Sequence, residues 1–286
     1  MLESIIEDTD SLPSIPVVAS RLLELLQDIE ATPADIGTLI QVDPALSMKV
    51  LQLANSAMFA AASPVHSVER AILLLGFNTV RFLITGMVVL QVARQITASE
   101  IINPESFWNS AFRGAVTARF LAERYSLPHV NEAYLAGLIR EIGQIALVQC
   151  AYEPYLPVVR AARSAGVRTL VKEREMLGFT HADVGALLVV KWNLDAGLAD
   201  IIRAYPEPSL YPEIKSPVLV SIVHLADILS LFETPEEADF ERVAEELDPF
   251  AKLTLTTQLG EDITSTFLQA AWEEICPLLE SSNPFI

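Results

Sequence analysis

An arginine and a glutamate stand side by side in the middle of an apolar stretch, AYLAGLIREIGQIAL (133–147). The apolar spacing of this stretch is that of a buried helix. The carboxylate of Glu141 could bind a divalent cation, but a single carboxylate makes a weak metal site. The guanidinium of Arg140 stays protonated and has no lone pair, so it cannot ligate a cation and would repel one. Arg140 therefore needs a compensating partner inside the protein.

A second charge interrupts an apolar helix further along the chain. Asp227 lies within SIVHLADILSLF (221–232), where a buried carboxylate also needs a partner. Its neighbour His224 is expected to be a hydrogen-bonded core histidine. His181 follows Thr180 at a predicted helix start, where we expect the imidazole to cap the helix, pack or hydrogen-bond to the backbone rather than bind a metal.

Common motifs of nucleotide, nucleophilic and redox chemistry do not occur in the sequence. There is no GxGxxG, P-loop, GxSxG or CxxC pattern. The two cysteines, Cys150 and Cys276, lack metal-ligand spacing, and Cys150 lies in an apolar run typical of a buried thiol. The sequence therefore predicts no cofactor.

The elements that position these residues are predicted to be helices throughout. Apolar residues recur at spacings of three and four along most of the chain. Helix-start signals occur at Thr32, Asn103, Asn131 and Asp195, a capping-box pattern at Thr180–Asp183, and glycines that can end helices at Gly166 and Gly178. Alternating patterns typical of strands are scarce, and the one candidate is Lys252–Thr256. These patterns predict an all-α fold.

Composition and charge limit the classes of partner. The 286 residues are 51% hydrophobic, and they carry a formal net charge of −18 with a pI near 4.5. A folded surface of this charge repels phosphate backbones and anionic lipid. The arginines within 158–175 are offset by neighbouring acids, so we expect them to form salt bridges between helices. We therefore expect neither nucleic acid nor a membrane among the partners.

The N-terminus and the apolar runs bear on localisation. The segment MLESIIEDTD (1–10) is acidic and lacks the basic region that opens a signal peptide. The apolar run Phe82–Ala93 is shorter than the roughly 20 residues that cross a bilayer. The low cysteine content suits a reducing compartment. We expect a soluble cytoplasmic protein.

Several long motifs follow one another along the chain. They read LPSIPVVASRLLELLQD (12–28), DPALSMKVLQLANSAMF (43–59), VHSVERAILLLGFNTVR (65–81), FWNSAFRGAVTARFLAE (107–123), the stretch around Arg140, GFTHADVGALLVVKWNL (178–194) and VHLAD (223–227). Together they resemble the HDOD domain proteins of bacterial signalling, which are diverged relatives of the HD metal-dependent phosphohydrolases. The resemblance spans about residues 12–230, and several motifs in order are far more specific than one short pattern.

This resemblance implies which positions of the HD metal site Arg140 and Glu141 occupy. Arg140 and Glu141 stand where the adjacent His-Asp pair that names the HD superfamily binds divalent metal. Ser110 stands where the first HD histidine is expected, and Tyr205–Pro206 where relatives often carry paired histidines. Serine and tyrosine are not usual ligands of such a metal, and proline has no ligating side chain.

Two further positions implied by the resemblance could still ligate, His181 and Asp227. Catalytic metal sites normally have at least three protein ligands and an open position, so the resemblance implies a dismantled site. It also brings the helices of Arg140 and Asp227 together, where an ion pair could occupy the space of the metal. The alternative is that one of these charges reaches solvent.

Two functions from different classes remain open. The first is a non-catalytic regulatory module, a pseudoenzyme that acts through contacts with a protein partner; a homodimer is compatible with the acidic surface. The second is a metal-dependent phosphohydrolase acting on nucleotides or cyclic dinucleotides, with Glu141, His181 and Asp227 as a reduced ligand set. The first is favoured because most of the implied ligand positions carry other residues.

The chain is expected to divide into three parts. The first is an N-terminal helical lobe over residues 1–100, and the second is a degenerate HD-like lobe over residues 101–232. The third is an acidic helical extension over residues 233–286. Apolar stripes around Val243 and Trp272 predict that this extension packs on the second lobe.

Overall fold

The structure is a computed structural model that describes residues 24–25, 28, 32–42, 44–55, 64–77, 79–80, 84–86, 100–232, 234 and 238–282. Fourteen α-helices and one 3₁₀ helix (Pro208–Leu210) have their bounds within these residues, which contain no strand. The helices are α1 (Pro33–Val42), α2 (Pro44–Ala54), α3 (Val68–Leu75), α4 (Pro104–Arg124), α5 (Val130–Ile139), α6 (Ile142–Cys150), α7 (Tyr152–Ala165), α8 (Thr169–Leu177), α9 (His181–Lys191), α10 (Ala196–Ala204), α11 (Pro217–Leu229), α12 (Phe240–Glu246), α13 (Pro249–Leu259) and α14 (Ser265–Ser282). The predicted all-α fold is confirmed.

Several helix boundaries follow from the capping residues. The side chain of Asn103 accepts the backbone N–H of Ser106 at 3.1 Å, so it caps α4. The carboxylate of Asp183 accepts the backbone N–H of Thr180 at 2.8 Å, as the capping-box pattern predicts for α9. Gly166 ends α7 with a φ of 64°, in the left-handed region that favours glycine.

The prediction that Asn131 caps a helix was wrong. Helix α5 begins two residues earlier than that cap would place it, at Val130, and His129 occupies the N-cap position. The side-chain oxygen of Asn131 instead accepts a hydrogen bond from Arg119 Nη1 of α4, at 3.5 Å. The side chain of Asn131 therefore forms a contact between helices instead of the cap that the local pattern predicts.

The strand suggested at Lys252–Thr256 was also wrong, because this segment lies inside α13. Asp248 caps that helix by accepting the backbone N–H groups of Phe250 at 2.9 Å and Ala251 at 3.1 Å. Leu255 is 1% exposed, and α13 packs on α11. The cap and this packing outweigh the short alternating pattern.

Helices α4, α5 and α11 form the centre of the molecule. Helix α4 packs along α5, and α11 packs against both. Helix α9 lies between α6 and α10, and α7 packs on α6 and α8. The contact of α4 with α5 is close at Gly137, where an added Cβ would lie 2.5 Å from the Gly114 carbonyl oxygen. This arrangement brings the ends of several helices to one buried point.

The N-terminal helices α1, α2 and α3 pack on one another. A Cβ added at Gly86 would lie 2.5 Å from Leu138 Cδ2, so the segment 84–86 contacts α5. Glu100 binds Arg160 of α7 at 2.6 Å. The division into lobes over residues 1–100 and 101–232 stays a prediction.

The C-terminal extension adds helices α12, α13 and α14. Helix α14 packs on α4 and α12, and its Trp272 is fully buried. Val243 of α12 is also buried, so the packing expected from the apolar stripes is confirmed. Across the described residues, every helix falls short of the length or apolarity that a bilayer crossing requires.

Candidate functional site

Arg140 and Asp227 meet in the interior of the protein. Arg140 lies at the turn between α5 and α6, and Asp227 is on α11. Both side chains are 0% exposed, and Arg140 Nε donates to Asp227 Oδ1 at 2.7 Å. The expected ion pair is therefore confirmed, and neither charge reaches solvent.

The remaining donors of Arg140 are satisfied by neighbours on three helices. Nη1 donates to the carbonyl oxygens of Gly137 at 2.8 Å and Ser110 at 3.3 Å. Nη2 donates to the hydroxyl oxygens of Ser110 at 2.9 Å and Ser230 at 2.6 Å. With the bond to Asp227, five hydrogen bonds match the five N–H donors of a guanidinium. This full set of partners makes a buried charge tolerable.

A second guanidinium binds the same carboxylate. Arg168, at the N-cap of α8, donates from Nη2 to Asp227 Oδ2, and its side chain is 34% exposed. Burial alone would raise the pKa of Asp227, but Arg168 and Arg140 hold it at about 2. Both oxygens of Asp227 therefore accept from arginine, and the carboxylate is ionised at neutral pH.

Glu141 lies at the edge of this cluster. Its side chain is 18% exposed, and its Oε1 is 3.8 Å from Arg140 Nη2. Among the described residues this is its one ion pair. With Arg140, Arg168 and Asp227 it makes a group of two positive and two negative charges, so the cluster is balanced.

His181 belongs to a second, adjoining network. Its Nδ1 lies 2.8 Å from Glu173 Oε2, and its backbone N–H donates to the same oxygen at 2.8 Å. The hydroxyl of Tyr155 donates to Glu173 Oε1 at 2.5 Å, and His181 Nε2 is 3.1 Å from the Tyr205 hydroxyl. Burial would lower the pKa of His181, but the Glu173 carboxylate reverses this and raises it.

His224 is a core histidine, as predicted. It is 3% exposed, and its Nδ1 lies 2.8 Å from the carbonyl oxygen of Tyr205. Its Nε2 accepts the backbone N–H of Asp248 at 3.2 Å. These partners require a neutral ring protonated at Nδ1. Burial and the nearby Arg168 lower the pKa of His224, which agrees with this state.

The structure brings the six sequence-predicted positions into one buried region. Ser110, Arg140, Glu141 and Asp227 form the arginine cluster, and His181 and Tyr205 form the adjoining network. Pro206 is buried in the turn after α10. Their assignment as remnants of a metal site stays a prediction from the resemblance.

Four members of these networks were missed. They are Tyr155, Arg168, Glu173 and Ser230. Arg168 belongs to the group of arginines that we expected to form salt bridges between helices, and it does so by binding Asp227 of α11. Arg174 of α8 likewise lies 3.9 Å from Asp183 of α9, whereas Arg160 pairs with Glu100, which precedes α4. Nothing in the local pattern distinguishes Arg168 from them. Glu173 stands among charged residues, which gave no sign that it is buried.

The residues present do not fit a divalent metal. Both oxygens of Asp227 accept from guanidinium groups, which would repel a cation. The Nδ1 of His181 faces Glu173, and its Nε2 faces the Tyr205 hydroxyl. In the described part of the chain, no three residues among histidine, cysteine, aspartate and glutamate converge as ligands. The chemistry of the donor set therefore disagrees with the metal that the HD superfamily would imply.

Comparison with known sequences identifies a family. A family model described as HDOD domain matches residues 12–208. A protein of Treponema pallidum (strain Nichols) that carries the name "Uncharacterized protein" is 26% identical over 271 residues. The match covers 92% of this chain and 51% of that protein, so the chain spans about half the length of this curated relative.

Comparison with solved structures identifies the fold. An HDOD domain protein with unknown function from Geobacter sulfurreducens has a TM-score of 0.77 and 21% identity, and the match covers 98% of each chain. A protein provisionally named a phosphohydrolase, from Shewanella amazonensis SB2B, has a TM-score of 0.76 and 23% identity, over 100% of this chain and 98% of that one. A protein provisionally named in signal transduction, from Marinobacter aquaeolei VT8, has a TM-score of 0.58 and 24% identity, over 98% of this chain and 61% of that one. At these identities the likeness concerns the fold alone.

Proposed function

The chain belongs to the HDOD domain family, and we propose that it is a non-catalytic regulatory module that acts through contacts with a protein partner. One observation carries the proposal: the buried carboxylate of Asp227 is held on both oxygens by Arg140 and Arg168. Two fixed positive charges thus occupy the surroundings of the acid that would be the best metal ligand. A cation could enter only by displacing both, and the chain would then have to bury or re-solvate two unpaired guanidinium groups.

The alternative, a metal-dependent phosphohydrolase, would use Glu141, His181 and Asp227 as ligands. Of these three, Glu141 alone has no hydrogen bond to another side chain in the described residues. Asp227 would have to leave the buried guanidinium of Arg140, and His181 the buried carboxylate of Glu173. We therefore do not propose catalysis, and the activity test below treats it as the contrary outcome.

The same networks suit a regulatory role. Arg140 contacts α4 and α11 from the turn after α5, and His181 joins α8, α9 and the end of α10. A fully satisfied buried network favours one arrangement of the helices that it joins. A partner that binds one of these helices can then change the stability of the others. The net charge of −18 favours a partner with a basic surface.

The catalytic question is tested by an assay with added Mn²⁺. Wild-type protein is incubated with bis(p-nitrophenyl) phosphate and, separately, with a cyclic dinucleotide. We expect no turnover above a protein-free blank, and no change in Glu141→Ala or Asp227→Asn. Turnover in the wild type that either substitution abolishes would contradict the proposal.

The partner is sought by chemical crosslinking in native cells, followed by mass spectrometry and reconstitution of the complex from purified proteins. We expect a saturable complex that weakens with increasing salt, because charge complementarity brings the two surfaces together. If no crosslinked protein rebinds the purified chain, the contact-based role is wrong.

A further inference from the structure

A groove opens on the surface between helix α10 and the loop that leads into α11. Its volume is about 450 Å³, and it is lined by Asp200 and Arg203 of α10 and by residues 210–215. This size is within the range of small-molecule sites. None of the residues that form the groove belongs to the buried networks described above.

Arg203 is the first indication of a ligand. Its side chain is half-buried, yet it forms no ion pair and no hydrogen bond with any described residue. A guanidinium has five donors in a planar fork that matches the two oxygens of a carboxylate. The groove therefore presents an unused binding group for an anion.

Asp200 makes the requirement more specific. It lies three residues before Arg203, on the same face of α10, where opposite charges commonly pair. Neither residue forms an ion pair in the part of the chain that the structure describes, and both line the groove. Glu213 and Lys215 in the loop are likewise without an ion pair there. Glu213 and Lys215 are exposed to water, whereas Asp200 and Arg203 are half-buried. An acid and a base are thus available one turn apart on α10, which favours a ligand that carries both charges.

The overall charge and the apolar lining narrow the ligand class. A net charge of −18 disfavours polyanions such as nucleotides at this surface. Leu210 is 59% exposed beside the groove, and Tyr211 and Ile214 are half-buried in its wall. These side chains offer an apolar surface next to the charged groups.

We propose that this groove binds a free amino acid with an apolar side chain. Arg203 holds the carboxylate, Asp200 holds the ammonium group, and Leu210 and Ile214 contact the side chain. The site adds an input ligand to the proposed regulatory role. Its test measures binding, so its outcome is independent of whether the chain is catalytic.

The position of the groove links it to the rest of the molecule. Tyr205, which contacts His181, follows Arg203 by two residues. Ser209, next to Leu210, donates to Asp248 of the C-terminal extension, with its hydroxyl 2.8 Å from Asp248 Oδ1. A ligand in the groove therefore touches the segment that joins the buried network to the extension.

The experiment uses the full chain and the twenty standard amino acids. Thermal unfolding ranks them, and isothermal titration calorimetry measures the affinity of the best. We expect an apolar amino acid to bind, and its amide and N-acetyl derivatives to bind much more weakly. Each derivative removes one of the two charges that the groove recognises.

Variants locate the site. Arg203→Met should weaken binding by about 10- to 100-fold, because a charge-assisted interaction is lost, and Asp200→Asn should weaken it as well. Arg242→Met, an exposed arginine outside the groove, is the matched control and should bind like the wild type. Circular dichroism of each variant checks the fold.

Three results would overturn the proposal. The first is that no amino acid binds at about 10 mM, a concentration well above the dissociation constant of a specific site. The second is that Arg203→Met, correctly folded, binds like the wild type. The third is that the N-acetyl and amide derivatives bind as well as the parent, which would remove the role of both charges.

Discussion

Asp227 is held between two arginines, at a position where the resemblance to HD phosphohydrolases predicts a metal ligand. Arg140 is fully buried, and Arg168 reaches in from the surface with a third of its side chain exposed. Glu141 supplies the second negative charge at 3.8 Å. At the scale of single residues, the site is therefore an ion cluster with two positive and two negative charges. Removal of one member leaves its partner with a charge that is no longer fully compensated.

Replacing Arg140 by alanine should strongly destabilise the fold. The change leaves Asp227 with Arg168 alone and removes the donors that Ser110 and Ser230 use. Loss of one partner of a buried ion pair costs roughly 3 to 5 kcal/mol in the free energy of unfolding. Urea unfolding measures it.

Arg160→Ala is the matched control, since Arg160 is 59% exposed and pairs with Glu100 at the surface. Surface pairs contribute at most about 1 kcal/mol. The double variant Arg140→Met, Asp227→Leu should recover much of the loss, because Arg168 can turn to solvent. An Arg140→Ala protein as stable as wild type would show that the buried pair contributes nothing.

The pKa values of the two buried histidines should be shifted in opposite directions. The raised pKa of His181 means that its contribution to stability is complete below pH 6.5 and is lost as pH rises through the folded value. The lowered pKa of His224 means that its contribution is complete above pH 6.5 and is lost as pH falls through the folded value. An NMR titration of the ring Cε1–H signals, assigned with His181→Gln and His224→Gln, checks both. Equal titration of the two rings at pH 6.5 would contradict these environments.

The sequence reveals three of the four charges of the ion cluster, Arg140, Glu141 and Asp227, and misses Arg168. Arg140 and Asp227 are identifiable because each interrupts an otherwise apolar helix, and a buried charge must have a partner. Arg168 and Glu173 lie in or beside α8, TLVKEREML, where several charges follow one another and no pattern marks which ones face inward. The burial of Glu173 and the inward contact of Arg168 result from tertiary packing, which a single sequence does not display.

At the scale of helices, small residues let the site helices approach closely. A Cβ at Gly143 of α6 would overlap the carbonyl oxygen of His181, at the start of α9, and would lie 2.6 Å from the backbone nitrogen of Gly185. Backbone atoms cannot move aside as a flexible side chain can. The approach of α6 to α9, which positions His181, therefore requires glycine at residue 143.

Gly143→Ala should lower the free energy of unfolding by about 3 kcal/mol, the upper end of typical overpacking. Gly37→Ala in α1 is the control, because its Cβ would lie 3.4 Å from Ile72 Cδ1, an ordinary contact. That change should be neutral or stabilising, since alanine favours helix over glycine by roughly 1 kcal/mol. Thermal and urea unfolding compare the two. Similar effects of both substitutions would contradict the close approach.

Local sequence signals identify helix ends well where the cap is self-contained. Asn103 and Thr180 mark their helices correctly because their partners lie within the first turn. The prediction fails at Asn131 because its side chain accepts a hydrogen bond from Arg119 of another helix. The error at Lys252–Thr256 has the same origin, since a five-residue alternation weighs less than burial of one helical face on α11.

At the scale of the whole molecule, the C-terminal extension completes the core. Asp248 donates its backbone N–H to His224, and Phe267 of α14 stacks on Tyr125 at a ring distance of 6.2 Å. Trp272 is fully buried. The described helices of the extension thus cover apolar faces of α4 and α11.

A chain ending at residue 232 should therefore unfold or self-associate. It would expose the face of α4 that α14 now covers and the face of α11 that α13 now covers. Exposed apolar faces of helices promote association. Size-exclusion chromatography and circular dichroism compare it with the full chain. A truncated monomer with the same Tm as the full chain would show that the extension is independent.

The central proposal is that arginines stand around Asp227 in place of a metal, and its most direct test is a Mn²⁺ titration followed by electron paramagnetic resonance, which reports free Mn²⁺. The comparison of wild type with Asp227→Asn corrects for weak binding of Mn²⁺ to the acidic surface, because the two proteins differ only inside the cluster. The account predicts identical titrations for the two proteins, with no stoichiometric site. One Mn²⁺ bound per wild-type chain and lost in Asp227→Asn would contradict it.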